Sequence, residues 1–276
     1  MKFDFLVENK TDNPGVMAEH GLSIYIEADD KKILFDAGAT DMLIKNACEM
    51  GISLEDVDLA VVSHGHYDHT GGFPEFCEIN DKAKIYLHKN AFRKSFGYEN
   101  GMLEKETCGI RWSEEQKQRF EDRIICTDGP VKITENIVVT GTVPFAEGFE
   151  PTEKFYYDNG HGEFIVDDMS HEQCLVIRQP QGLYIFSGCS HRGVISALNA
   201  CKAMFPGERV AVLVAGMHLY SASDEDREAV VSQIVDENLD MVMPVHCTGI
   251  KAICELKSKL GDSCVVATAG DSFDEC

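Results

Sequence analysis

The segment that most constrains this chain is His64-Gly65-His66-Tyr67-Asp68-His69, which follows the apolar run Leu59-Ala60-Val61-Val62 and confines three imidazoles and a carboxylate to one tight turn. Neutral imidazole nitrogen and carboxylate oxygen are the ligands preferred by Zn²⁺ and similar first-row ions. Only ten histidines occur in 276 residues, so three within six positions read as a metal-ligating loop rather than a solvated polar one. Any fold for this chain must bring further ligands to the end of that run.

Other apolar runs supply them. Ile33-Leu34-Phe35 leads into Asp36, Tyr184-Ile185-Phe186 into Ser187-Gly188-Cys189, 210–214 into Gly216-Met217-His218, and Met241-Val242-Met243 into Pro244-Val245-His246. A sheet that delivers polar side chains at its carboxyl ends is the usual way an α/β protein builds a site. Between these strands, apolar spacing and stop signals predict helices over 40–50, 192–205, 223–237 (Ser223 and Asp226 as a capping box) and 249–260, with a polar helix over 113–123. The alternation of strand and helix indicates α/β, and no linker or repeat divides the chain, so 1–276 reads as a single domain.

Charge narrows the partners. Lys and Arg total 25 against 47 Asp and Glu, a net charge of −22, without a basic cluster. Such a surface repels phosphate backbones and anionic lipid, so neither nucleic acid nor a membrane is expected, whereas a small anionic substrate held by metal ions remains compatible. Acidic residues interrupt the first apolar stretch and no run approaches a membrane span, which predicts a cytoplasmic protein. Eleven cysteines without a C-x-x-C pair fit free thiols better than a disulfide framework. Nothing here excludes a homo-oligomer.

The ten residues Ser63-His64-Gly65-His66-Tyr67-Asp68-His69-Thr70-Gly71-Gly72 resemble the H-x-H-x-D-H signature of the metallo-β-lactamase-fold superfamily. That resemblance implies a four-layer αββα sandwich of two mixed sheets with one or two metals between them. Ala18-Glu19-His20-Gly21-Leu22-Ser23, the 187–193 segment Ser-Gly-Cys-Ser-His-Arg-Gly and Gly216-Met217-His218-Leu219 resemble one subfamily, commonly labelled 7,8-dihydropterin-6-methyl-4-(β-D-ribofuranosyl)aminobenzene-5′-phosphate synthase-like. Carried over, the resemblance implies two divalent ions, Zn²⁺ first with Fe or Mn as alternatives. His64, His66 and His171 would hold one and Asp68, His69 and His246 the other, with His191 the rival of His171, which is weighted ahead. Cys189 stands where the superfamily generally has a bridging aspartate; a thiolate ligand and a merely buried thiol both remain open.

Without a nucleophile elbow, phosphate loop or dinucleotide fingerprint, metals must carry the chemistry, by a metal-held hydroxide aimed at a small, phosphorylated substrate. Asp68 would orient the nucleophile, His191 and His218 donate a proton or grip phosphate, Asp36 brace the His loop from behind, and His20 sit at the rim. The segment 93–170, with Trp112, Tyr156 and Tyr157, is expected to cover the site. His88 and His161 are assigned no role. Three activities stay in view: a metallohydrolase, a pterin-type transferase releasing diphosphate, and a redox- or metal-sensing protein.

Overall fold

The structure, a computed structural model, describes residues 1–99, 101–145, 149, 151 and 153–274. One sheet has seven strands in the order Ser272–Asp274, Lys2–Val7, Ser23–Ala28, Lys31–Phe35, Leu59–Val61, Lys84–His88 and Ile124–Thr127. The other has six, in the order Met241–Pro244, Val210–Ala215, Gly182–Ser187, Leu175–Gln179, Ile137–Val139 and Val131–Lys132. Both mix parallel and antiparallel pairs; Lys31–Phe35, Leu59–Val61, Lys84–His88 and Ile124–Thr127 run parallel, as do Gly182–Ser187, Val210–Ala215 and Met241–Pro244.

The two-residue period of the strands sorts their side chains into layers. Ile24, Ile33, Phe35 and Val61 point inward, where they meet Tyr184, Phe186, Val212 and Val214 of the second sheet. The alternate residues Tyr25, Leu34, Ala60 and Val62 face outward onto Leu43, Phe73, Phe76 and Phe120, from the helices Met42–Glu49, Phe73–Ile79 and Glu114–Phe120. Likewise Leu183, Ile185 and Leu213 face outward onto Leu198, Val231 and Leu256, from Val194–Met204, Asp224–Asp236 and Ile250–Leu260. The result is an αββα sandwich.

Expected helices appear with trimmed ends. Ser113 forms a full capping box with Gln116. At Ser223 only half the box forms: its Oγ accepts from the Asp226 N–H at 3.1 Å, while the short Asp226 carboxylate takes the Ser223 hydroxyl proton at 2.7 Å instead of reaching the backbone. The segment 93–170 is divided. Ser95–Glu99, Met102–Leu103, Phe155–Asp158 and Phe164–Val166 make a third, four-stranded sheet, whereas Ile124–Thr127, Val131–Lys132 and Ile137–Val139 extend the two main sheets. The ten described cysteines are free. No helix among the described residues is long and apolar enough to cross a membrane.

Glycine permits the ligand loops to pack backbone to backbone. A Cβ on Gly65 would lie 2.1 Å from the Ala91 carbonyl oxygen, and one on Gly188 2.1 Å from Ser63 Oγ. Gly65→Ala is therefore expected to push the His loop off its support, destabilising the protein by at least about 1–3 kcal/mol and lowering its metal content. Thermal unfolding with and without metal checks this, and a wild-type melting temperature would refute it.

Candidate metal centre

Four residues of the candidate site or directly beside it stand just beyond strand ends, and the chain turns there through left-handed backbone. Asp36, Ser190, His218 and His246 have φ between 48° and 57° without being glycine. Each such residue costs on the order of 1–3 kcal/mol, a strain that persists where the surroundings over-determine the geometry.

The His loop is braced from below by Asp36, whose carboxylate is completely buried. It accepts the Ser63 N–H at 2.7 Å, the Ser63 hydroxyl at 2.6 Å and His69 Nδ1 at 2.7 Å. A carboxylate only accepts, so His69 holds its proton on Nδ1 and turns a bare Nε2 inward. The Ser63 hydroxyl has given its proton to Asp36, so it accepts from His64 Nδ1 at 2.9 Å, and His64 too presents a bare Nε2. After His66 the chain makes one helical turn, Tyr67–Thr70, that swings Asp68 and His69 to the same side. Trp112 closes this turn from beneath by donating Nε1 to the Thr70 carbonyl at 2.8 Å.

The bare nitrogens converge. His69 Nε2 lies 3.2 Å from His246 Nε2 and 3.1 Å from Cys189 Sγ, and His64 Nε2 lies 3.3 Å from His191 Nε2. Asp68 Oδ2 is 3.2 Å from His246 Nε2, 3.2 Å from His20 Nε2 and 3.8 Å from His69 Nε2. His66 Nε2 is buried without a hydrogen-bond partner. Tetrahedral zinc with nitrogen ligands at about 2.0–2.1 Å separates those ligands by roughly 3.3–3.4 Å. Spacing, donor chemistry and an orphaned buried nitrogen all fit divalent metal. The ligand atoms group as His64, Cys189 and His191, as His69, Cys189 and His246, and as His20, Asp68 and His246; Cys189 belongs to two of the three groups.

His171 and His191 are placed differently from their order of weight in the sequence. His171 Nδ1 accepts the Gly65 backbone N–H at 3.1 Å, which uses its lone pair and leaves the proton on Nε2, 3.6 Å from Asp167 Oδ2. It props up the His loop from outside. His191 instead packs its ring against His66 at 4.8 Å and His64 at 4.9 Å, held by its own N–H donated to Glu172 Oε1 at 2.6 Å. Glu172, fully buried, also accepts the Arg192 N–H at 2.8 Å, and nothing in the sequence singled it out. A glutamate next to a histidine carries no spacing signal.

His218 packs its ring at a tilt against His191, centroids 4.3 Å apart, and lies 3.8 Å from Glu153. His20 is more than half exposed at the rim. His88 is held by Thr142 and Asn90, and His161 is exposed, both away from the cluster. A cleft of about 480 Å³ opens over the cluster, its walls including Tyr67, Tyr98, Phe155 and Tyr220. Phe155 reaches from the third sheet to pack on His66 and His191 at 4.8 and 5.1 Å.

Burial keeps most of these imidazoles neutral, pushing His66 down to about 3 and His246 to about 4 and depressing His64 and His191 as well. At His69 burial acts the same way, but the Asp36 and Asp68 carboxylates outweigh it and raise the group. Burial and the neighbouring Cys247 push the Cys189 thiol well up, so its thiolate requires a cation. The unfolded chain protonates its histidines near pH 6.5. Between about pH 6.5 and 4 it therefore takes up protons that the folded neutral imidazoles refuse, and these groups destabilise the metal-free protein as pH falls. His69 works with the opposite sign, its contribution being lost as pH rises through its elevated value. With His88 and His218 also depressed by burial, six lowered histidines outnumber one raised, so the urea midpoint of metal-free protein is expected to be lower at pH 5 than at pH 7; a higher midpoint at pH 5 would contradict this.

Residues 17–166 match the sequence model of the metallo-beta-lactamase superfamily. A Methanocaldococcus jannaschii protein named 7,8-dihydropterin-6-methyl-4-(beta-D-ribofuranosyl)-aminobenzene-5′-phosphate synthase is 28% identical over 249 residues, 87% of this chain and 84% of its own length. An uncharacterized protein of the same organism is 30% identical over 243 residues, 87% of this chain and 88% of its own. Among solved structures, Tm1679, described as a metal-dependent hydrolase of the beta-lactamase superfamily, superposes with a TM-score of 0.84 at 28% identity, covering 100% of this chain and 99% of its own.

Proposed function

The chain belongs to the metallo-β-lactamase superfamily, and from that premise we propose that it is a dinuclear metallohydrolase of a small phosphoester, phosphodiester or related substrate. The observation that carries this reading is the convergence of bare imidazole nitrogens on both sides of Cys189. His64, His66 and His191 would hold one ion, Asp68, His69 and His246 the other, and Cys189 would be a ligand available to either. His171 is reassigned to supporting the loop, because its lone pair is occupied by the Gly65 N–H. Zn²⁺ suits the nitrogen and sulfur donors best, with Fe or Mn the alternatives.

When bound, two divalent ions supply Lewis acidity and activate water at neutral pH. The chain's own groups do the rest. Asp36, through Ser63 and His69, keeps two ligand imidazoles in the tautomer that faces inward. Asp68 would bring the negative charge that the second ion needs. His218, at the cleft wall beside His191, is placed to hand a proton to a departing oxygen. Phe155 shields His66 and His191 from water. Farther out the cleft is lined by Glu99, Glu104 and Glu153 together with tyrosines, which suits a flat leaving group that donates hydrogen bonds rather than a second phosphate.

A second reading, a transferase that joins a pterin methyl diphosphate to an aminobenzene ribosyl phosphate, is favoured by the name of the 28%-identical relative. Anaerobically purified protein assayed for metal content and for hydrolysis of aryl phosphomonoesters and phosphodiesters separates the two. Turnover of a simple ester with about two ions per chain supports hydrolysis. Pyrophosphate release only when both cosubstrates are present supports transfer, and the absence of bound metal overturns both.

A further inference from the structure

Asn9 carries no motif and lies just after the Lys2–Val7 strand, yet its amide touches both histidines beside Asp68. Oδ1 is 3.1 Å from the Gly21 N–H and 2.8 Å from His246 Nδ1; Nδ2 is 3.4 Å from the His246 carbonyl oxygen and 3.3 Å from His20 Nδ1. The two backbone contacts decide which end is which. A backbone N–H only donates and a carbonyl only accepts, so reversing the amide would set its NH₂ group against the Gly21 N–H and its oxygen against the His246 carbonyl.

The tautomers follow. His246 Nδ1 faces an acceptor and must carry the proton, leaving Nε2 with a bare lone pair. His20 Nδ1 faces a donor and must accept, so the proton of the neutral ring sits on Nε2. The two rings are 4.8 Å apart and each places Nε2 3.2 Å from the same oxygen, Asp68 Oδ2. One meets it with a lone pair and the other with a proton.

We propose that Asn9 is a positioning residue that assigns opposite tautomers to two neighbouring histidines, making His246 a metal ligand and His20 a hydrogen-bond donor that orients Asp68 from the mouth of the cleft. The proposal rests on the metal-centre reading above for the role of His246. It also explains why His20, though grouped with Asp68 and His246 by distance, is no third ligand: its inward nitrogen is not a donor to metal while the Asn9 amide stands. Because the His20 ring is exposed on one side, its N–H is also the group that a substrate oxygen entering the cleft would meet.

The test is imidazole ¹⁵N–¹H long-range NMR on ¹⁵N-histidine-labelled protein, metal-free and zinc-loaded, with His20→Gln and His246→Gln for assignment. Wild-type protein is expected to show His246 protonated on Nδ1 and His20 on Nε2 in both states, with zinc shifting His246 Nε2 but leaving His20 an N–H donor. Asn9→Asp replaces the amide donor with an acceptor and is expected to move the His20 proton to Nδ1; Asn9→Ala is expected to leave His20 as a tautomer mixture. An Nδ1 proton on wild-type His20, coordination of zinc by His20, or an unchanged His20 pattern in both Asn9 variants would overturn the proposal. Failure of zinc to bind at all would instead remove the metal reading, while the metal-free spectra would still decide the tautomers.

Discussion

Asp68→Ala is expected to lose one metal ion per chain and to reduce kcat by more than the roughly 10–100-fold that the loss of an outer-shell partner costs, while the metal-free protein keeps its fold. Asp68 Oδ2 is the common neighbour of His20, His246 and His69, and those three hold its carboxylate well below the usual range despite burial that works the other way. Among the described residues it is the only carboxylate in the candidate ligand groups, and its removal disturbs no strand or helix core. Asp36→Ala should behave oppositely in the metal-free state. Its carboxylate satisfies a buried N–H, a buried hydroxyl and a buried imidazole, so its loss leaves three orphaned groups and costs on the order of 3 kcal/mol or more. Elemental analysis, steady-state kinetics and melting curves of the two variants separate the roles. Two ions and wild-type turnover in Asp68→Ala would sink the metal-centre reading altogether.

The contrast between these carboxylates reflects what a sequence can carry. The His loop is legible because its ligands are consecutive and one strand delivers them together. Asp36, Cys189, His218 and His246 are legible as candidates for a related reason: each follows an apolar run, Asp36 after a strand parallel to the one that delivers the His loop and the other three after mutually parallel strands of the second sheet, so within each sheet they must end on the same edge. Which of His171 and His191 turns inward is decided elsewhere, by the Gly65 N–H claiming one ring and Glu172 clasping the backbone of the other. Neither contact has a sequence spacing, since Gly65 and His171 are 106 residues apart. Asn9 and His246, 237 residues apart, have no sequence spacing either. The segment 93–170 reads as one cover for the site because its aromatic residues suggest specificity, whereas three of its strands complete the main sheets and only the third sheet brings Phe155 against His66 and His191.

Cys189→Ala is expected to weaken both halves of the proposed centre at once, because its Sγ is the candidate ligand atom shared by the His64 and His69 groups. The side chain is 2% exposed and its thiol is pushed up by burial and by Cys247, so in metal-free protein it stays protonated and unreactive. A divalent cation beside it would reverse that balance and bind the thiolate, which gives a signature independent of turnover. Cobalt-loaded wild-type protein is expected to show a thiolate-to-metal charge-transfer band in the near ultraviolet, absent from Cys189→Ala and from Cys189→Asp. The two variants should then part. Asp restores a carboxylate able to reach both sides and keeps about two ions per chain, whereas Ala leaves a gap between them and retains one or none. A cobalt spectrum unchanged in Cys189→Ala, with both ions still bound, would make Cys189 a packed core thiol and shift the centre to the histidines and Asp68 alone. The band in wild-type protein together with loss of the second ion in Cys189→Asp would instead mean that this site is built for sulfur, and that the thiolate sets which metal it takes.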